Sequence, residues 1–180
     1  VLLLGEVVME PSKVLPYFGT EEKPECDMLY NVTTMASIWH TMATRDVRLL
    51  RHQLQQIENL PPNCIFQNYL RCHDDIGWGL DYGILSQYGM GEASHKKYLN
   101  DWFTGKYYGS PARGELYNDS EWLRDARLCG TTASLCGLEA ALYENNEELV
   151  QRSIDAVVML HACMLTLRGI PIFYSGDEIG

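Results

Sequence analysis

Positive charge is scarce in this chain: 14 Lys and Arg stand against 24 Asp and Glu in 180 residues, a formal net charge of −10. Basic residues so few and so scattered argue against a surface for nucleic acid or an anionic membrane. Long apolar runs are missing too. No uninterrupted stretch approaches the ~18 residues of a membrane span, so no membrane partner is expected. The opening Val1-Leu2-Leu3-Leu4-Gly5-Glu6 has no initiator Met and no basic leader region, and reads as a strand already under way rather than a signal peptide. The six cysteines, Cys26, Cys64, Cys72, Cys129, Cys136 and Cys163, show no C-x-x-C spacing. Neither a disulfide scaffold nor a metal site is expected, and the thiols read as the reduced cysteines of a cytoplasmic protein. G-x-G-x-x-G, P-loop, G-x-S-x-G and H-E-x-x-H motifs are all absent, and no cofactor is implied. What remains is an ordinary globular composition, 46% hydrophobic and 21% charged.

Short apolar runs bounded by turns alternate with helical patterns. After the opening strand comes a polar loop with Pro11, Pro16 and Pro24, then a second apolar run over 27–32. Thr33 and Thr34 are placed to cap a helix whose apolar residues recur from Met35 to about Leu60, before Pro61-Pro62 stops it. Cys64 to Leu70 reads as a third strand. Residues 76–125 read as a long, irregular, glycine- and aromatic-rich insertion, the kind of loop that is often functional. A short helix over 131–143 and a longer one from Glu148 to Arg168 follow, capped by Gly169, and Ile170 to Tyr174 makes a fourth strand. Continuously apolar strands alternating with helices predict an α/β fold with a parallel sheet buried on both faces.

The chemistry-bearing residues cluster just after the strands. Glu6 ends the first; a partly desolvated carboxylate there suits a general acid, while a helix cap or a solvated loop residue is the plainer alternative. His73-Asp74-Asp75 follows the third strand. It could bind sugar hydroxyls and stabilise developing positive charge, or make a salt-bridged loop; one His and two adjacent Asp do not fix a metal geometry. Trp78, with Tyr82, Tyr88, Trp102, Tyr107 and Tyr108, could stack on sugar rings or pin the insertion to the body. Arg127 could bond an acceptor sugar or clamp a loop carboxylate.

The stretch Asn68-Tyr69-Leu70-Arg71-Cys72-His73-Asp74-Asp75-Ile76-Gly77-Trp78 resembles the segment that holds the transition-state-stabilising Asp in amylosucrases, of the α-amylase superfamily (glycoside hydrolase family 13). Leu3-Leu4-Gly5-Glu6 is similar to their strand-5 motif with the acid/base Glu, the segment from Trp39 to Val47 to the helix after strand 6, and Gly169 to Gly180 to strand 8. Arg127-Leu128-Cys129-Gly130-Thr131 resembles the segment with an acceptor-side Arg. The resemblance implies that residues 1–180 are a single fragment of a (β/α)8 TIM barrel, approximately strands 5 to 8, with the insertion 76–125 after strand 7. It implies Glu6 as general acid/base, Asp74 as the stabilising carboxylate, His73 as a donor to the glucosyl ring, and Asp75, Arg127 and Trp78 as further substrate contacts.

The reaction so implied is retaining glucosyl transfer from sucrose to an α-1,4-glucan with release of fructose, which needs acid and nucleophile about 5–5.5 Å apart. The nucleophile of the family lies in an Arg-x-Asp motif on strand 4, upstream of this chain, and Arg45-Asp46, in a predicted helix, does not replace it. A fragment inactive by itself, with its edge strands exposed and prone to associate, is therefore expected. A sucrose hydrolase or another family 13 α-glucosidase is the alternative within the superfamily; a non-catalytic carbohydrate-binding protein is the alternative outside it.

Overall fold

A computed structural model describes residues 1–120 and 125–179. Residues 121–124 of the insertion, and Gly180 of the last motif, lie outside the described residues. In chain order the elements are β1 (Leu4–Gly5), α1 (Pro11–Val14), a 3-10 turn (Leu15–Phe18), β2 (Met28–Tyr30), α2 (Val32–Thr44), α3 (Arg48–Gln56), β3 (Ile65–Asn68), β4 (Ile76–Gly77), α4 (Tyr82–Gln87), α5 (Glu92–Phe103), β5 (Glu115–Ser120), β6 (Asp125–Cys129), α6 (Thr132–Leu135), α7 (Leu138–Tyr143), α8 (Glu147–Thr166) and β7 (Ile170–Pro171).

Four short strands form a parallel sheet in the order β1-β2-β3-β7. The α/β class with a parallel sheet is therefore present, whereas a closed barrel is not shown. Buried polar groups hold the sheet together. Asn31, after β2, donates to Asn68 Oδ1 at 2.8 Å, and Asn68 in turn donates to the Arg168 carbonyl at 3.2 Å, so one side chain joins three strand ends. Gly169 at φ +141° passes close enough to the Phe66 carbonyl that an added Cβ would lie 2.4 Å from it. A side chain there would force β7 off β3.

Several expected elements are redrawn. The single helix expected over 35–60 is two, because Arg45 takes a left-handed φ of 58° and Asp46 folds back onto the Arg48 amide at 3.0 Å. Thr33 and Thr34 do not cap it: α2 begins after Asn31, both threonines are buried inside its first turn, and the Thr33 hydroxyl donates to the Met9 carbonyl. The short helix over 131–143 divides at Gly137, whose φ is +93°. The described residues of 76–125 are not irregular. They hold α4 and α5 and most of an antiparallel sheet, ordered β4-β6-β5.

This inserted unit shares one core with the sheet's helices. Trp39 of α2 meets Phe103 of α5 edge-on at 5.4 Å, and Trp78 stacks on the same Phe103 ring at 5.7 Å. A second, smaller core sets Leu29 and Phe66 of the sheet against Phe18 and Ile57. Helix α8 buries Ser153, Leu160 and Met164 and leaves Ile154, Val158, Met159 and Leu165 exposed. By length and composition α8 could cross a membrane, a feature that a search for uninterrupted apolar runs passes over. Its first half nevertheless carries Glu147, Glu148, Arg152 and Asp155, with Arg152 bonded to Glu148 at 2.5 Å.

Candidate active site

The site is built at the carboxyl end of the parallel sheet. Glu6 immediately follows β1. That strand is held close to β2 because Gly5 has no side chain: a Cβ there would lie 2.6 Å from Leu29 Cδ2 and 2.9 Å from Cys26 Sγ. Asp27 fixes the same strand by accepting from the Leu3 amide at 2.7 Å. The turn carrying Asp74 and Asp75 leaves β3 and enters β4, and its start is anchored where Trp39 Nε1 donates to the Leu70 carbonyl at 2.8 Å.

The antiparallel sheet supplies the opposite wall. Register pairs Gly77 of β4 with Arg127 of β6, which carries Arg127 beside Asp75. Arg127 Nε donates to Asp125 at 2.8 Å, and Nη1 lies 3.6 Å from Asp75 Oδ2. The guanidinium thereby holds the Asp125 carboxyl below its ordinary range, chiefly through that hydrogen bond. Arg127 thus engages two carboxylates, Asp75 of the turn and Asp125 of its own strand β6.

Glu6, Asp74, Asp75, Trp78 and Arg127 all line one cavity of about 390 Å³, together with Tyr69, Cys72, Lys96 and Asp125. His73 is not among the lining residues. It stands exposed beside Asp74, with Nε2 3.5 Å from Asp74 Oδ2. Glu6 is exposed as well, directly after the two-residue strand β1. Trp78 is only 3% exposed: its indole N–H donates to Asn100 at 2.8 Å and its ring rests on Phe103. It forms part of the wall, and pinning the insertion is the work its contacts do.

Tyr69 lies in the motif from Asn68 to Trp78, where the sequence assigns it no role. It is buried at the cavity, and burial first, then the nearby Cys72, Glu6, Tyr30 and Asp74, raises its phenol far above the ordinary value, so it stays a neutral donor. Cys72 is likewise a residue the sequence did not single out; its sulfur and the ligand atoms of His73 and Asp74 all lie within 4.8 Å of one another. Behind this turn Arg71 pairs with the buried Asp177 at 3.2 Å, Asp177 accepts from Thr132 at 2.9 Å, and the guanidinium covers the Tyr174 ring at 4.4 Å. That cluster ties the segment after β7 to the one after β3. Asp46 plays no part: it sits in the α2–α3 turn, paired with Arg48, whose hydrogen bond lowers it to about 2.

A larger cavity of about 520 Å³ is lined by Leu50, Leu54, Ile57, Leu60, Phe66 and Leu167 among others. It is apolar, and none of the chemistry-bearing residues expected from the sequence reaches it. The smaller, polar cavity is where acid–base groups converge.

The chain resembles trehalose synthase. It is 26% identical over 179 residues to the trehalose synthase of Thermus thermophilus, covering 99% of this chain and 14% of that protein's length. No protein-family model matches the chain. At this distance the likeness supports the α-amylase superfamily at most, and does not extend to amylosucrases or to sucrose.

Proposed function

We propose that the polar cavity is part of the α-glucosyl site of a retaining carbohydrate-processing enzyme of the α-amylase superfamily, and that the parallel sheet is a segment of its (β/α)8 barrel. The observation that carries this is the convergence of Glu6 and Asp74, from turns after two strands of one parallel sheet, on a single cavity. The carboxyl ends of strands are where barrel enzymes place their chemistry. Glu6, open to solvent and to a substrate, protonates the leaving glycosidic oxygen and later removes the proton of the incoming hydroxyl. Asp74 stabilises the positive charge that develops at the anomeric carbon and holds ring hydroxyls, with His73 donating beside it. Asp75 and Arg127 contact the acceptor side, and Trp78 closes the wall behind them. The covalent nucleophile is assigned to no residue of this chain; the resemblance places it in an Arg-x-Asp motif on a neighbouring strand. The chemistry is acid–base and electrostatic, and no cofactor takes part in the proposed steps.

Sucrose is the proposed glucosyl donor and an α-1,4-glucan the acceptor, on the strength of the extended motif from Asn68 to Trp78. Cytoplasmic residence goes with this proposal, since six free thiols persist most readily there. The likeness to trehalose synthase favours a second reading, in which the product is trehalose. Incubation of the full-length protein with sucrose separates the two. Fructose release with growth of insoluble glucan is the expected outcome, free glucose in place of glucan indicates a hydrolase, and trehalose formed from another α-glucoside without action on sucrose indicates the second reading. Binding of α-glucans with no turnover of any α-glucoside would leave a carbohydrate-binding protein.

A further inference from the structure

We propose that Cys72, His73 and Asp74 form a binding site for a thiophilic divalent cation of the Zn²⁺ type, and that its occupancy inhibits the enzyme by withdrawing the Asp74 carboxylate from the glucosyl cavity. The inhibitory half rests on the role proposed above for Asp74; the binding half does not.

The geometry is nearly that of a metal site already. The Cys72 sulfur, a His73 ring nitrogen and an Asp74 oxygen lie within 4.8 Å of one another, and the His73 Nε2–Asp74 Oδ2 separation is 3.5 Å. Around a tetrahedral zinc with bonds of about 2.0–2.3 Å, neighbouring ligand atoms stand roughly 3.3–3.7 Å apart, so small side-chain rotations complete the set. Cys72 is half-buried and lines the cavity, whereas His73 and Asp74 are exposed, so a cation arrives without any element being displaced.

The surroundings favour a cation. Glu6, Asp74, Asp75 and Asp125 line the cavity against Lys96 and Arg127, four negative charges to two positive. Arg71, the basic neighbour on the other side of Cys72, is engaged with Asp177. The ligand types set the class of ion. Thiolate with imidazole and one carboxylate suits zinc, while calcium and magnesium require sets of oxygen ligands. Binding releases the Cys72 proton to solvent and leaves one coordination position for water.

Titration of the purified full-length protein with Co²⁺, read by absorption, tests the site directly. The expected result is a saturable thiolate-to-cobalt band in the near ultraviolet, displaced by Zn²⁺ and not by Ca²⁺ or Mg²⁺. Cys72→Ser should abolish the band, and His73→Ala, at an exposed position, should raise the half-saturating Co²⁺ concentration by at least about tenfold. No saturable band, or a band that survives in Cys72→Ser, overturns the site whatever the activity does. Turnover of an α-glucoside by the wild type, inhibited by Zn²⁺ and restored by chelation, is the second expectation. A filled site with undiminished turnover overturns the inhibition and counts against the role of Asp74, while absent binding with normal turnover leaves that role untouched.

Discussion

The two sheets contribute to one cavity in opposite ways. The parallel sheet is made of strands only two to four residues long, with edges that are poorly covered: Leu2, Leu3 and Leu4 are exposed at one side, Ile170 and Phe173 at the other. It delivers Glu6 and Asp74 as exposed carboxylates, Asp74 beside His73 at 3.5 Å. The antiparallel unit is knitted together internally, its Trp78, Asn100 and Phe103 buried, and it delivers carboxylates already clamped, Asp75 and Asp125 on Arg127. One wall has reactive groups with little holding them, the other has held groups with little freedom to react. In the proposed reaction, acid–base chemistry belongs to the first wall and shaping of the cavity to the second.

The largest effect expected from this division is catalytic. Glu6→Gln and Asp74→Asn in the full-length protein should each lower kcat by about 10²–10⁴-fold, with melting temperature nearly unchanged because both side chains are exposed. Steady-state kinetics and calorimetry on the same preparations read both quantities. The second wall should answer in stability instead. Trp78→Ala removes a ring that is 3% exposed and leaves Asn100 Oδ1 without its donor, a loss of about 3–5 kcal/mol by denaturant titration.

A third expectation concerns the join between the two regions. His40 of α2 and His95 of α5 are buried side by side, with Nδ1 and Nε2 3.1 Å apart, Tyr82 on the far side of His95, and Thr44 and Asp46 near His40. Burial lowers both rings to about 4 from an ordinary 6.5, and for His95 the charge of His40 adds to it. The unfolded chain takes up these protons below pH 6.5 and the folded one resists them until about pH 4. Stability is then complete above pH 6.5 and falls as pH drops towards 4. Denaturant titrations at pH 7 and pH 5 of the wild type and of His40→Gln/His95→Gln should show this slope only in the wild type. The smallest effect belongs to Arg127→Gln. Its side chain is 43% exposed, so its ion pairs contribute no more than about 1 kcal/mol, and the change should appear in KM for the acceptor rather than in the melting temperature.

The parallel sheet was legible because its strands are continuous apolar runs with turn residues on either side, a signal that is local in the sequence. All four observed strands fall inside the apolar runs. The lower wall of the comparison was harder to read. The pairing of Gly77 with Arg127 spans the whole insertion, and no local pattern announces it. Helix α5 did leave a trace, since His95, Leu99 and Phe103 recur every fourth residue and are all buried, but glycines and aromatics on either side obscured it. The break between α2 and α3 turns on one left-handed residue, Arg45, of a type that rarely adopts that conformation. Glu6 was placed correctly at a strand end, whereas its exposure depends on how far neighbouring strands extend past it. Cys72 stands in the motif with no role read for it, and folding of the turn brings its sulfur to the His73 and Asp74 ligand atoms.

The leaving group offers the most direct test of Glu6 as the acid at this cavity. Fluoride departs from an α-glucosyl fluoride without being protonated, whereas a sugar leaving group requires a proton from the enzyme. In full-length Glu6→Gln the first step on the fluoride should proceed at near the wild-type rate, seen as a burst of fluoride, while cleavage of the sugar substrate falls by about 10²–10⁴-fold. Equal loss on the two substrates, or equal activity on both, would contradict the assignment.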